Sequence, residues 1–189
     1  MKRILLSVSL LLIVAHNTTG QEISIRSQKD PDTNFGKYTT YYWADQVDKV
    51  LDEGRFFLND LILKADIRNA VRGELDARGY KLHPNNPDLI INFRVFGKKT
   101  RLKGPQGYGS TFWGPHEYNP ALDNKIGEAE AGTLILSIVD RVRNVLVWQG
   151  MASGLIDGDA FIKDEGKIRE AVYLLLEDYG IRVAEYTRR

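Results

Sequence analysis

The sequence predicts an α+β fold in two layers, a mainly antiparallel sheet with two amphipathic helices on one face. Two stretches place apolar residues at helical spacing, Leu63–Ile67–Ala70–Val71–Leu75 and Ile168–Ala171–Val172–Leu175–Tyr179. Between and before them lie alternating or β-branched and aromatic stretches suited to strands. Their order reads β-β-α-β-β-β-α, with strands close enough in sequence to pair antiparallel and two helices sufficient to cover one sheet face.

The first strand is expected at residues 23–26, where apolar and polar residues alternate. Asp30-Pro31-Asp32 is turn chemistry, and Tyr38 to Trp43 is β-branched and aromatic throughout, a second strand. Residues 47–57 read as a mixed connection. Asn59 or Asp60 can cap the first helix, because a short polar side chain accepts the free amides of a first turn. Gly79 suits the left-handed stop at its end. Gly73 lies inside this helix, where close packing against a neighbour would explain it. A short extra strand fits residues 80–82.

Residues 88–98 form a long strand with Leu89, Ile91, Phe93 and Val95 on a buried face. Ile90, Asn92, Arg94 and Phe96 lie on a face expected to be half-exposed. Residues 132–140 and 145–152 read as two strands joined by a hairpin connection at Asp140 to Asn144, with Trp148 on the returning strand. Trp43 and Trp148 are expected in the core. The glycine-rich stretch from Ser153 to Phe161 reads as a connection, and Asp164 can cap the last helix, which Gly180 ends.

The N-terminus has the three-part layout of a secretory signal peptide. Lys2 and Arg3 precede the apolar run Ile4 to Ala15, and the small residues Thr18 and Gly20 precede Gln21. That run is too short to span a bilayer, which takes about 20 apolar residues. Residues 1–20 are thus expected to be removed, leaving a single domain of 189 − 20 = 169 residues, 21–189, with no transmembrane segment. Lys2 and Arg3 are the only charges lost, so the mature charge is (26 − 2) − 25 = −1. A near-neutral balance predicts no nucleic-acid partner. The absence of cysteine excludes thiolate metal sites, thiol nucleophiles, disulfides and cysteine lipidation. An exported domain without disulfides suits a bacterial envelope, in the periplasm or associated with the outer membrane.

No catalytic constellation is recognisable, and no metal or cofactor is expected. His83 precedes Pro84 in a turn, His116-Glu117 is a neighbouring pair without a helical HExxH arrangement, and no Gly-x-Ser-x-Gly elbow surrounds Ser110, Ser137 or Ser153. Asp157-Gly158-Asp159 lacks the other ligands of a calcium loop and reads as a solvated turn. The distinctive segment is Lys103 to Asn119, where glycines alternate with Tyr108, Phe112, Trp113 and Tyr118 and Pro105 and Pro115 stiffen the chain. Aromatic rings on a loop can stack on a sugar or a partner chain, so these four are the candidate contact residues; they can equally fold back over an open sheet face.

Five blocks together resemble DUF4136, a family of bacterial envelope proteins that includes many lipoproteins and has no defined activity. They are the opening Asp32-Thr33-Asn34-Phe35-Gly36-Lys37-Tyr38-Thr39-Thr40-Tyr41-Tyr42-Trp43; the helix that closes on Gly79-Tyr80; Pro87-Asp88-Leu89-Ile90-Ile91; Gly132-Thr133-Leu134 through Val147-Trp148-Gln149-Gly150; and the helix from Ile168 to Tyr179. The resemblance covers nearly all of residues 21–189 and implies an envelope location and a helix-plus-sheet domain, with no catalytic residues to carry over. This chain departs from many relatives in having no lipidated cysteine and in ending its last helix at Gly180 rather than proline. The expected role is a non-catalytic binding or adaptor domain whose partner is an envelope protein or glycan. The alternatives are an exported hydrolase of envelope polymers, with His116 and Glu117 as acid–base groups, and a structural domain that assembles through a sheet edge.

Overall fold

The computed structural model of the chain describes residues 22–44, 60–101 and 128–183. Its strands are β1 (Ser24–Lys29), β2 (Thr40–Trp43), β3 (Lys81–Leu82), β4 (Leu89–Phe96), β5 (Thr100–Arg101), β6 (Glu128–Ala129), β7 (Thr133–Asp140), β8 (Val145–Ser153), β9 (Ile156–Asp157) and β10 (Ala160–Phe161). Its helices are α1 (Leu61–Ala77) and α2 (Glu165–Tyr179). Six strands form one mixed sheet in the order β1-β8-β7-β4-β2-β3. The pairs β1–β8, β8–β7 and β7–β4 are antiparallel, whereas β4–β2 and β2–β3 are parallel. The fold is the α+β architecture the sequence predicts, with a parallel margin that it does not.

That margin corrects the expectation that neighbouring strands pair antiparallel. β1 and β2 do not touch; β1 forms one edge beside β8, and β2 lies beside β4 with α1 as the crossover. The connection is shaped by its own side chains. Asp30 accepts the amide of Asp32, and Asn34 accepts the amide of Gly36 at the start of a single 3₁₀ turn, Phe35–Lys37. A tight two-residue reversal is what a hairpin would need. Asp88 then fixes β2 against β4, accepting the backbone amides of Thr39 at 2.8 Å and Thr40 at 2.9 Å together with both hydroxyls.

Both helices begin and end where local chemistry predicts. The Asp60 carboxylate accepts the Leu63 amide, and Asp164 accepts the Lys167 amide. At the end of α1 the Tyr80 amide donates to Leu75 and the Gly79 amide to Asp76, with Gly79 at φ 88°; this is a Schellman stop. Gly180, at φ 67°, ends α2. Lys163 pairs with Asp60 at one end of the helix pair, and Arg78 pairs with Glu177 at 2.8 Å at the other. The two helices therefore run side by side in the same direction.

The main core lies between these helices and one sheet face. Leu63, Ile67, Ala70, Val71 and Leu75 of α1 and Ile168, Ala171, Val172, Leu175 and Tyr179 of α2 are all buried in it. Leu89, Ile91 and Phe93 of β4 and Leu134, Leu136 and Ile138 of β7 meet them, with Trp43 and Trp148. Trp148 lies across Gly150, two residues on along the same strand face. A Cβ at residue 150 would overlap the indole and stand 2.8 Å from Leu175.

The close packing expected at Gly73 is not found: among the described residues, a Cβ there would meet nothing within 4 Å. The stretch after β8 also holds more order than expected: β9 and β10 form a small hairpin turning through Asp157-Gly158-Asp159, with both aspartates exposed.

Candidate functional site

β5 and β6 were not foreseen, and they flank the residues that include the distinctive segment. They pair antiparallel, Thr100 with Ala129 and Arg101 with Glu128, so the residues that flank 102–127 are held side by side. Lys99 reinforces the stem through Glu130 at 2.8 Å and Glu128 at 3.2 Å, hydrogen bonds that raise its ammonium pKa. Ala129 is fully buried against Ile135, Met151 and the partly buried Phe96. The Gly132 amide donates to the Phe96 carbonyl and ties the stem to the end of β4. The candidate contact residues Tyr108, Phe112, Trp113 and Tyr118, and the alternative pair His116 and Glu117, lie outside the described residues.

The stem rests on the sheet face away from the helices, and that face is not half-exposed as expected. Ile90, Asn92 and Arg94 are 8%, 1% and 6% exposed. Asn92 is one of four polar residues that stand in a row across four strands. Asn92 registers with Ser137, Ser137 with Gln149, and Gln149 with Gln28. Gln149 donates to the Ser137 hydroxyl at 2.9 Å, and Gln28 reaches Gln149 at 3.5 Å. Arg94 stacks over Phe96 at 5.8 Å. The bond between Gln149 and Ser137 offsets the cost of burying those two side chains. Read strand by strand, Asn92, Ser137 and Gln149 look like solvent-facing positions; only the register brings them together.

The strongest electrostatic cluster surrounds Asp140, at the end of β7. Its Oδ2 accepts from Tyr38 Oη at 2.6 Å, Arg143 Nε at 2.8 Å and Lys37 Nζ at 3.0 Å, while Oδ1 accepts the amides of Val142 and Arg143. Burial alone would raise this carboxyl's pKa, but the bonds from Arg143, Tyr38 and Lys37 outweigh it and hold the group well below the usual carboxylate range. Burial and the Asp140 carboxylate push the Tyr38 phenol above its ordinary value. Five donors fill the lone pairs of one carboxylate. Asp140 is therefore a clasp that joins the β7–β8 turn to the segment before β2, and Arg143 extends it to Thr33 at 2.6 Å and Asp30 at 3.8 Å.

The remaining sequence candidates are dispersed. His83 is exposed beyond β3, and its backbone amide donates to Tyr41. Ser137 is buried in the polar row, and the Ser153 hydroxyl meets that of Thr133 at 3.0 Å. Among the described residues, no three His, Cys, Asp or Glu side chains are placed to hold a metal ion. Among the same residues, no helix is long and apolar enough to cross a membrane.

A mixed sheet with two parallel-running helices on one face and a two-stranded β5–β6 stem on the other defines the class of domain. The chain belongs to the family described as Domain of unknown function (DUF4136), whose model matches residues 25–179. Among solved structures it is similar to a DUF4136 family protein from Bacteroides thetaiotaomicron VPI-5482, with a TM-score of 0.60 and 17% identity over 84% of this chain and 96% of that one. A PDZ domain protein from Parabacteroides distasonis ATCC 8503 is more distant, with a TM-score of 0.49 and 16% identity over 84% of this chain and 36% of that one. The PelC dodecamer from Paraburkholderia phytofirmans follows at 0.46 and 8%, over 85% and 99%. No curated protein matches the chain.

Proposed function

We propose that this chain is exported into the bacterial envelope, loses residues 1–20, and serves there as a non-catalytic binding or adaptor domain. Its contact surface is the loop that carries Tyr108, Phe112, Trp113 and Tyr118, and its partner is an envelope protein or glycan. Export is supported by the leader layout of Lys2, Arg3, the apolar run Ile4 to Ala15 and the small residues before Gln21.

The observation that carries the binding role is the anchored stem. Ala129 fixes β6 on the sheet, and the Arg101–Glu128 pair closes the base of a segment rich in aromatic rings and glycine. A rigid scaffold presenting a long loop is a common arrangement for recognition. Aromatic rings supply contact area while losing few rotatable bonds.

Two measurements test this reading. Cell fractionation with mass spectrometry of the mature N-terminus is expected to find Gln21 first, in the envelope fraction; intact Met1 in the cytosol would refute export. Crosslinking in envelope extract is expected to capture partners with the wild-type chain and to lose them in the Trp113→Ala/Tyr118→Ala double variant. Unchanged partners in a folded double variant would remove the loop from the account.

A further inference from the structure

The two margins of the six-stranded sheet are built differently. One ends in β3, which has two residues and runs into His83-Pro84. So short a strand before a proline offers a neighbour almost nothing to pair with. The other margin is β1, six residues from Ser24 to Lys29, with no proline and an unbroken register to β8. Ser24, Arg26, Ser27 and Lys29 are exposed.

The ladder fixes which backbone groups of β1 point outward. The Asp30 amide donates to the Val147 carbonyl, so residue 30 forms a hydrogen-bonded pair with β8. Such pairs alternate along an antiparallel ladder. Gln28, Arg26 and Ser24 therefore bond to β8, while Ile25, Ser27 and Lys29 turn their N–H and C=O groups to the outer side. Natural edges are guarded by charged side chains, bulges and prolines. Here Lys29 is drawn inward, its Nζ 3.1 Å from the Tyr179 carbonyl, and Arg26 is the remaining charge on the strand.

Side-chain order selects what fits this edge. A second β1 can pair antiparallel only in registers that set outward residues opposite outward residues. Two such registers use most of the strand, residues 24–28 or residues 25–29 of each copy. The first is centred on Arg26 and sets that guanidinium opposite itself, where like charges repel. The second is centred on Ser27. It sets Ser27 opposite Ser27, Ile25 opposite Lys29 and Arg26 opposite Gln28, so no charge faces its like.

We propose that β1 receives β1 of a second copy of this chain, antiparallel about a two-fold axis at Ser27, so that two six-stranded sheets become one. A two-fold contact of this kind closes on itself and stops at the dimer. It depends neither on export nor on the aromatic segment. A single strand pair is small beside the roughly 1,200 Å² that stable complexes bury, so the association is reversible and is best trapped covalently.

The chain has no cysteine, so one introduced thiol reports the register. The whole chain carrying Ser27→Cys is oxidised with copper phenanthroline at several protein concentrations, beside the whole chain carrying Ser24→Cys. Both positions are exposed. In the proposed pairing the Cα atoms of the two residues 27 stand about 5.5 Å apart, within disulfide reach, whereas those of the two residues 24 are about 20 Å apart. Circular dichroism checks folding, and maleimide labelling corrects for thiol access. The Ser27→Cys chain is expected to form a covalent dimer about ten times faster or more than the Ser24→Cys chain. Similar rates at the two positions, which mark random collision, or no dimer from folded Ser27→Cys chain, would overturn the proposal. So would a disulfide from position 27 to a different protein in cell extract in place of a second copy.

Discussion

Asp140 is 1% exposed and still ionised, because five donors replace the water it has lost. Its lowered pKa fixes the sign of the pH dependence. The stabilisation is fully present above the ordinary carboxylate range near 4 and is lost as pH falls below it toward the folded-state value. Asp140→Asn is expected to cost about 2–4 kcal/mol at pH 7, as breaking a buried charged cluster does. It should also flatten the decline between pH 5 and pH 3, and urea unfolding at several pH values would show both effects. Two glycines give opposite outcomes in the same assay. Gly73→Ala fills open space on an exposed helix position and is expected to stabilise by about 0.5–1 kcal/mol. Gly150→Ala would push a methyl into the Trp148 ring and is expected to cost about 2–3 kcal/mol through overpacking. Sequence alone does not separate the two, because both glycines sit in regular elements and only the neighbouring ring distinguishes them.

At the scale of elements, two helices running in the same direction bring like ends of their dipoles together, an arrangement that the flanking charges offset. Asp60, Asp164 and Glu165 gather at the N-terminal ends, while Arg78 and Lys29 stand at the C-terminal ends. Arg78 is buried between Glu74 and Glu177 and is the polar joint of the pair. Arg78→Ala leaves both carboxylates without it and is expected to lower stability by about 2–4 kcal/mol, with the loss seen as reduced amide protection at the ends of α1 and α2. Helix limits are legible in the sequence because cap chemistry is local: Asp60, Asp164, Gly79 and Gly180 each act within their own turn. Pairing is not local. That β2 joins β4 in parallel, and that β1 crosses to β8, depends on which edges are left when the helices dock. The same is true of the buried polar row, in which Asn92, Ser137 and Gln149 meet only through the register of β4, β7 and β8.

For the whole molecule, the proposed division of labour is between a core that folds and the aromatic segment proposed to make contact. The large apolar cluster lies on the helix side, and the β5–β6 stem lies at the opposite face. The aromatic composition of the loop is legible in the sequence, whereas its anchorage is not, since Thr100–Arg101 and Glu128–Ala129 are too short to show a strand period. Arg101 and Glu128 stand opposite each other, so an Asn-Gly turn can join them in place of residues 102–127. The shortened chain is expected to keep a single cooperative urea transition; a non-cooperative one would show that the core depends on the loop. The most direct test of the contact role places a photo-crosslinking phenylalanine analogue at Trp113, or at the exposed Tyr173 on the outer face of α2, in living cells. The account predicts discrete crosslinked envelope species from position 113 and none from position 173. The reverse pattern, or no crosslinks at 113 in a correctly exported protein, would contradict it.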